Sequence, residues 1–214
     1  IDVHMRSGFN KEVLNMLNTK YIISPQGQNG APVPIPNPEA CGNAWFVDNI
    51  QWEETADNEI LALKAPNIGE PDTLNTGFNP KQTAVMRSKF KSDLGNYNFG
   101  KDSAAYVKLA DNGYGLNHIS YVSKNSKDGF AVFSDVYYPF GWKAFVDGKE
   151  TTIYKSNYIL RSIIVPAGEH KIEFKFEPEK FYTADKIAMV SSLLLLLTVG
   201  VSIFMALKGG KKPA

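Results

Sequence analysis

The 214-residue chain is poor in the side chains that usually carry chemistry. It has one cysteine, Cys41, and three histidines, His4, His118 and His170, far apart from one another. A lone thiol excludes an intrachain disulfide and any zinc site built on cysteines. Cys41 is therefore expected to be a small buried or loop residue. Charge of one sign is also lacking: 23 Lys and Arg face 22 Asp and Glu, net +1, with no long block of either. That excludes an electrostatic footprint for nucleic acid, and no nucleic-acid partner is expected. A Gly-rich phosphate loop, H-E-x-x-H and G-x-S-x-G are all missing. The paired acids Glu53–Glu54 and Glu177–Glu179 read as solvated surface groups, because acid–base work needs two carboxylates converging in a pocket. His170, beside a turn, reads as a solvated side chain. No catalytic, cofactor-binding or metal-binding residue is assigned, and no cofactor is expected. The opening "IDVHMRSGFN" has neither an initiator Met at position 1 nor a charged-then-apolar leader pattern, so a fragment or processed product is expected.

One long apolar run is present. Ile187 to Leu207, "IAMVSSLLLLLTVGVSIFMAL", carries no charge over 21 residues. As a helix it would be about 31 Å long, the thickness of a bilayer's hydrocarbon core. Ser191, Ser192, Thr198 and Ser202 can return their hydroxyls to the helix backbone. Lys208, Lys211 and Lys212 follow it without an acid, while Phe181 and Tyr182 precede it at interface depth. The positive-inside rule then makes residues 208–214 a cytoplasmic tail and puts everything before about 180 outside. The bilayer is the first expected partner.

The remainder divides by texture. Residues 1–82 read as a small α/β extension with long loops: a helix at "FNKEVLNMLNT" capped by Asn10, a strand at "KYIIS", a loop at "PQGQNGAPVPIPNPEACGN", a strand at "AWFVDNI" and a helix at "TADNEILALKAP" with Ile60, Leu61 and Leu63 apolar. From 83 to 180 short runs bounded by Gly, Asn, Asp or Pro follow one another without helices, among them "HISYVSKN", "GFAVFSDVYY", "WKAFVDG", "ETTIYKS", "YILRSIIVPAG" and "HKIEFKFEP". Ile172, Phe174 and Phe176 alternate with Lys171, Glu173, Lys175 and Glu177, the pattern of a half-buried strand. Asp147-Gly148 supplies the positive-φ pair of a tight hairpin. The fold class expected is mainly β: an antiparallel, jelly-roll-like β-sandwich with the α/β extension before it and one transmembrane helix, 187–207, after it.

The remaining candidates for a ligand contact lie in "SDVYYPFGWKAFVDGKE" and just beyond. Tyr137, Tyr138 and Trp142 could stack on sugar faces, since flat rings with polar edges suit carbohydrate CH surfaces. The alternative is core: alternation puts Trp142 with Ala144 and Val146 on one face, opposite Lys143 and Asp147, and allows one of the two tyrosines inside. Arg161 stands in "NYILRSIIV", sharing by alternation the face of Ile159, Ile163 and Val165. A charge there needs a structural ion pair or a ligand.

The motif order "YYP..GW.A.VDGK", "N...R...VPAG.H" and "F.F.P" ahead of the last apolar run resembles the C-terminal end of the YfhO family of bacterial membrane proteins. "VLNMLNTKYII", "NAWFV" and "NPKQTAV" resemble that family's extracytoplasmic region. The resemblance implies a large polytopic bacterial protein of the C-type glycosyltransferase kind, using polyprenyl-phosphate sugars. It implies as partners the remaining membrane helices of the full-length protein and a glycan or lipid-linked sugar. The family's proposed catalytic acids lie in loops between N-terminal membrane helices, so none is carried onto this sequence. This chain is then expected to be an accessory domain; the alternative is a membrane-anchored glycan-binding or assembly module.

Overall fold

The computed structural model describes residues 10–24, 32–63, 77–95 and 99–209. Two compact units result, Ile1–Phe176 and Glu177–Ala214. The first is dominated by two antiparallel sheets. One has five strands in the order β10 (Lys149–Thr151), β9 (Trp142–Val146), β13 (Gly168–Phe176), β7 (His118–Asn125) and β6 (Tyr106–Tyr114). The other has four, in the order β11 (Tyr154–Ser156), β12 (Leu160–Val165), β8 (Gly129–Val136) and β3 (Ala44–Val47). The mainly β sandwich expected from the sequence is what forms. One strand of it, β3, comes from within residues 1–82.

The sheets differ in what covers them. Between them lies a core of Phe46, Ile119, Tyr121, Phe133, Ile163 and Phe174 with their smaller neighbours. Tyr121, Phe133 and Phe174 meet edge to face, with ring centroids 4.8 to 6.1 Å apart, the geometry aromatic quadrupoles favour. The five-stranded sheet turns its other face to water. In β13, Ile172 and Phe174 point inward while Lys171 and Glu173 point out and pair with each other at 3.1 Å.

The four-stranded sheet is covered twice. Phe130, Val132, Trp45, Val47 and Leu160 point away from the sandwich core into a second cluster. There they meet Val13 and Met16 of α1 (Lys11–Met16), Leu63 just past α2 (Ala56–Leu61), and Ala84 to Met86 of β5 (Thr83–Arg87). Strand β4 (Asn49–Glu53) pairs with β5 in parallel. A sheet buried on both faces has no reason to alternate, hence the unbroken apolar runs "AWFV" and "FAVF".

Asn10 caps α1 as expected, accepting from the Val13 N–H at 3.2 Å, and its own amide donates to the Leu63 carbonyl at 2.8 Å. Of the loop expected from Pro25, residues 25–31 lie outside the described residues. Val33–Pro36 forms β2, paired with β1 (Tyr21–Ser24), because this edge position asks no ladder bond of its prolines. A 3-10 turn, Ser88–Phe90, and α3 (Lys91–Leu94) follow β5, where no helix was expected. The run "ETTIYKS", read as one strand, is divided between β10 and β11, one in each sheet. The apolar face expected on α2 is displaced: Leu61 is exposed, and Glu59 is buried in its stead. Burial raises the Glu59 carboxyl above its ordinary range, although its Oε1 accepts the Tyr158 N–H at 2.9 Å and so favours the charged form. Asn157 ties the same corner together. Its Oδ1 accepts from the Val85 N–H at 2.8 Å and its own N–H returns to the Val85 carbonyl at 2.8 Å.

The second unit is one helix, α4 (Glu179–Gly209), long and apolar enough to span a membrane. Ser191, Ser192 and Ser202 donate to the carbonyls four residues back at 2.8 Å, and Thr198 to that of Leu195 at 2.8 Å. Each hydroxyl is satisfied within the helix, as a hydrocarbon surrounding demands. The expected tail from 210 onward lies outside the described residues.

Candidate functional site

The chain crosses between the two sheets twice at one end of the sandwich. Tyr137 to Gly141 leads from β8 to β9, and Thr152–Ile153 leads from β10 back to β11. Pairing of Thr151 with Ala144 brings the two crossings side by side. Between them opens a cavity of about 460 Å³. Tyr137, Tyr138 and Trp142 form its aromatic part, while Lys143, Glu150 and Thr152 contribute polar groups. A second cavity, of about 510 Å³, shares Glu150, Thr151 and Thr152 with the first and reaches Asp147 and His170.

The turn residues set this geometry. Gly141 takes φ 87°, which lets the chain double back after Pro139 and Phe140. Asp147 and Gly148 take φ 51° and 81°, so the expected tight hairpin is formed between β9 and β10. Tyr137 is half-buried, its N–H donating to the Ile159 carbonyl at 2.7 Å, and Tyr138 is exposed against Phe140, ring centroids 5.6 Å apart. Alternation had room for one tyrosine inside, and Tyr137 is the one partly taken in.

Trp142 is part core and part cavity wall. It packs against the sandwich core with Ala144 and Val146, yet it is half-buried and lines the cavity. Its ring is braced from behind: Phe176 lies 5.3 Å away and the Arg161 guanidinium 4.7 Å from the ring centroid. Arg161 is only 5% exposed and does not join the cavity lining. It makes no ion pair among the described residues. Instead its guanidinium is held between the rings of Trp142 and Phe174, the latter at 5.0 Å. Burial lowers its pKa, opposed by the Asp135 carboxylate nearby. Asp135 itself accepts from the Tyr121 hydroxyl at 2.9 Å, and burial followed by that carboxylate pushes the Tyr121 phenol up. One nitrogen, Nη1, keeps no hydrogen-bond partner. Thus Arg161 supports the aromatic wall from inside.

The face assignment of Ile159 differs from the alternation. Ile159 lies just outside β12, in a turn where Asn157 and Tyr158 take φ 47° and 67°, so the strand's period of two does not extend back to it. Ile159 packs on the second cluster, whereas Ile163 and Val165 share the sandwich core with the Arg161 side.

His170 is partnered and not simply solvated. Its Nδ1 lies 2.6 Å from the Asp147 Oδ2 and its Nε2 3.2 Å from the Ala167 carbonyl. Burial alone would lower the imidazole pKa, but these bonds and the Asp147 charge outweigh it, and the net shift is upward. Burial pushes the Cys41 thiol up to about 11, which leaves it unreactive. No group of three or more His, Cys, Asp and Glu gathers as a metal site among the described residues.

The sequence reading missed Lys143, Glu150, Thr151 and Thr152. Polar residues on a short edge strand carry no signal of their own; only the chain crossing at Thr152 turns them toward the tyrosines.

Residues 96–187 match the family model described as bacterial membrane protein YfhO. The match runs over β6 to β13, the whole of the first cavity and the start of α4, and it bears out the resemblance carried by the motifs from Tyr137 onward. No curated protein and no solved structure matches the chain.

Proposed function

We propose that the chain, whose residues 96–187 match the YfhO model of bacterial membrane proteins, is an extracytoplasmic accessory domain on a membrane-spanning helix, serving a glycosyltransferase-like membrane protein. Its cavity holds part of the acceptor glycan or polymer while sugar arrives from a polyprenyl-phosphate donor. The observation that carries this reading is the joining of Tyr137, Tyr138 and Trp142 with Lys143, Glu150 and Thr152 around one open cavity. Flat rings offer stacking surface to sugar CH groups, and the polar side chains offer donors and acceptors to hydroxyls. The basic residues after the helix support an extracytoplasmic position for the sandwich.

The test is transfer of a lipid-linked sugar by membranes carrying the full-length protein. Tyr138→Ala and Trp142→Ala are expected to lower transfer or shorten the product, and to weaken glycan-array binding by the detergent-solubilised chain about tenfold, the worth of roughly 1.4 kcal/mol of aromatic contact. Binding that weakens while transfer and product size stay unchanged would leave a glycan-binding module without a part in transfer. A blank array together with unaltered transfer sinks the proposal.

A further inference from the structure

The end of the sandwich that holds the cavity is also where large apolar side chains are left in water. Phe176 ends β13, its N–H donating to the Asn117 carbonyl at 2.9 Å, and it pairs in register with Trp142. Two connections therefore flank Phe176: the β6–β7 tip and the β8–β9 loop. On the first, Tyr114 is 67% exposed and Leu116 96%; on the second, Phe140 is 62% exposed, beside Val136 at 63%. The opposite end differs. There Gly168 pairs with Asn125, and the neighbouring exposed side chains are Lys124, Lys127 and Glu169, with Lys124 and Glu169 joined at 2.7 Å, beside Tyr106 at 38%.

Leucine and phenylalanine fully in water are costly. Complete burial of such a side chain is worth about 1.5–3 kcal/mol, so a cluster of them marks a surface meant to be covered. The sequence says by what. Only Glu177 and Pro178 separate Phe176 from the first residue of α4; Phe181 and Tyr182 follow at once, within two turns of helix ahead of the uncharged run that begins at Ile187. Three Cα steps reach at most about 11 Å, and aromatic residues at that point of a span belong to the headgroup level.

We propose that this rim, Tyr114, Leu116, Val136 and Phe140, rests in the headgroup region of the lipid bilayer that α4 enters. The loops dip their apolar tips between headgroups while the polar strand ends stay in water, the manner of interfacial anchoring. The aromatic cavity is then held at the membrane surface, at the height where a glycan carried on a lipid begins. This inference stands on exposure and chain continuity and does not need the glycan reading.

The test uses the whole chain in phosphatidylcholine–phosphatidylglycerol vesicles. Cys41→Ser removes the native thiol, and an environment-sensitive dye is attached at Leu116→Cys, at Phe140→Cys and, as the control, at Lys127→Cys. Lipids with a nitroxide at the headgroup are expected to quench the first two dyes at least twofold more than the third, with blue-shifted emission. Equal quenching and water-like emission at all three sites would overturn the proposal. So would self-quenching at 116 and 140 that grows with the protein-to-lipid ratio, since a second copy would then be the cover. Tyr114→Cys stands in for either rim variant should its thermal midpoint fall below that of the control.

Discussion

The two sheets of the sandwich obey different rules, and the sequence records the difference. The five-stranded sheet has water on one face and alternates; "KIEFKF" is apolar at every second position. The four-stranded sheet lies between two apolar clusters and does not; Phe130, Ala131, Val132 and Phe133 are all fully buried. Polar substitution therefore costs little on half of one sheet and much everywhere on the other. The comparison also explains why the residues before 83 belong with the sandwich: Val13, Met16, Leu63 and Phe78 help to cover the outer face of β8 and β12.

The sharpest way to break this comparison is a pair of identical changes. Val132→Asp puts a carboxylate into the second cluster and is expected to cost several kcal/mol, enough to unfold a domain of ordinary stability. Val122→Asp, on the outer face of β7 between its register partners Lys108 and Lys171, is expected to cost less than about 1 kcal/mol. Urea denaturation of the two variants measures both, and equal losses would mean that the second cluster is no true core.

A smaller effect is expected where the covering layer is tied on. Asn157→Ala removes the side-chain acceptor for the Val85 N–H and leaves that donor buried, at a cost of about 1–3 kcal/mol. Asn157 also sits at φ 47°, a conformation that alanine tolerates less well. Hydrogen exchange should quicken across β4 and β5 while β7 and β13 keep their protection. Uniform quickening would instead show that the layers open as one unit.

The smallest concerns the His170–Asp147 pair at the β9–β10 turn. The Asp147 pKa is lowered by its bond to His170 and by the Lys171 N–H, so its contribution is lost as pH falls through the folded value. The His170 pKa is raised, so its contribution is complete below the unfolded value, about 6.5, and lost as pH rises through the folded one. Stability from the pair is thus greatest between the two ranges. Asp147 is largely exposed, which limits the effect to less than about 1 kcal/mol. His170→Gln should flatten the thermal midpoint between pH 5 and 8 relative to the parent chain; an unchanged profile would remove the pair from the account.

Much of this was legible in advance, and the misses have a common cause. The helix α4, the Asp147–Gly148 hairpin, the Asn10 cap and the inward placing of Ala144 and Val146 follow from length, local turn chemistry and period. Glu59, Ile159 and "ETTIYKS" did not follow. Glu59 is buried by a partner 99 residues away, the Tyr158 N–H. Ile159 faces the other way because the positive-φ turn at Asn157 and Tyr158 precedes β12, and the break within "ETTIYKS" exists because the two sheets claim its two halves. At the candidate site, the aromatic half was visible as a crowded motif. Its polar half was not, since Lys143, Glu150 and Thr152 look like any surface polar residues until the crossings bring them together.

By itself the sequence determined a β-rich chain ending in a helix long and apolar enough to cross a membrane, and it carried the resemblance that residues 96–187 bear out, because these rest on local period, turn residues and motif order. Only the tertiary structure decided that Arg161 stacks between Trp142 and Phe174 without an ion pair, and that two distant loops leave their apolar tips exposed on either side of Phe176. These are long-range outcomes of strand register. A period of two can say which residues share a face, but not which face of another strand they will meet.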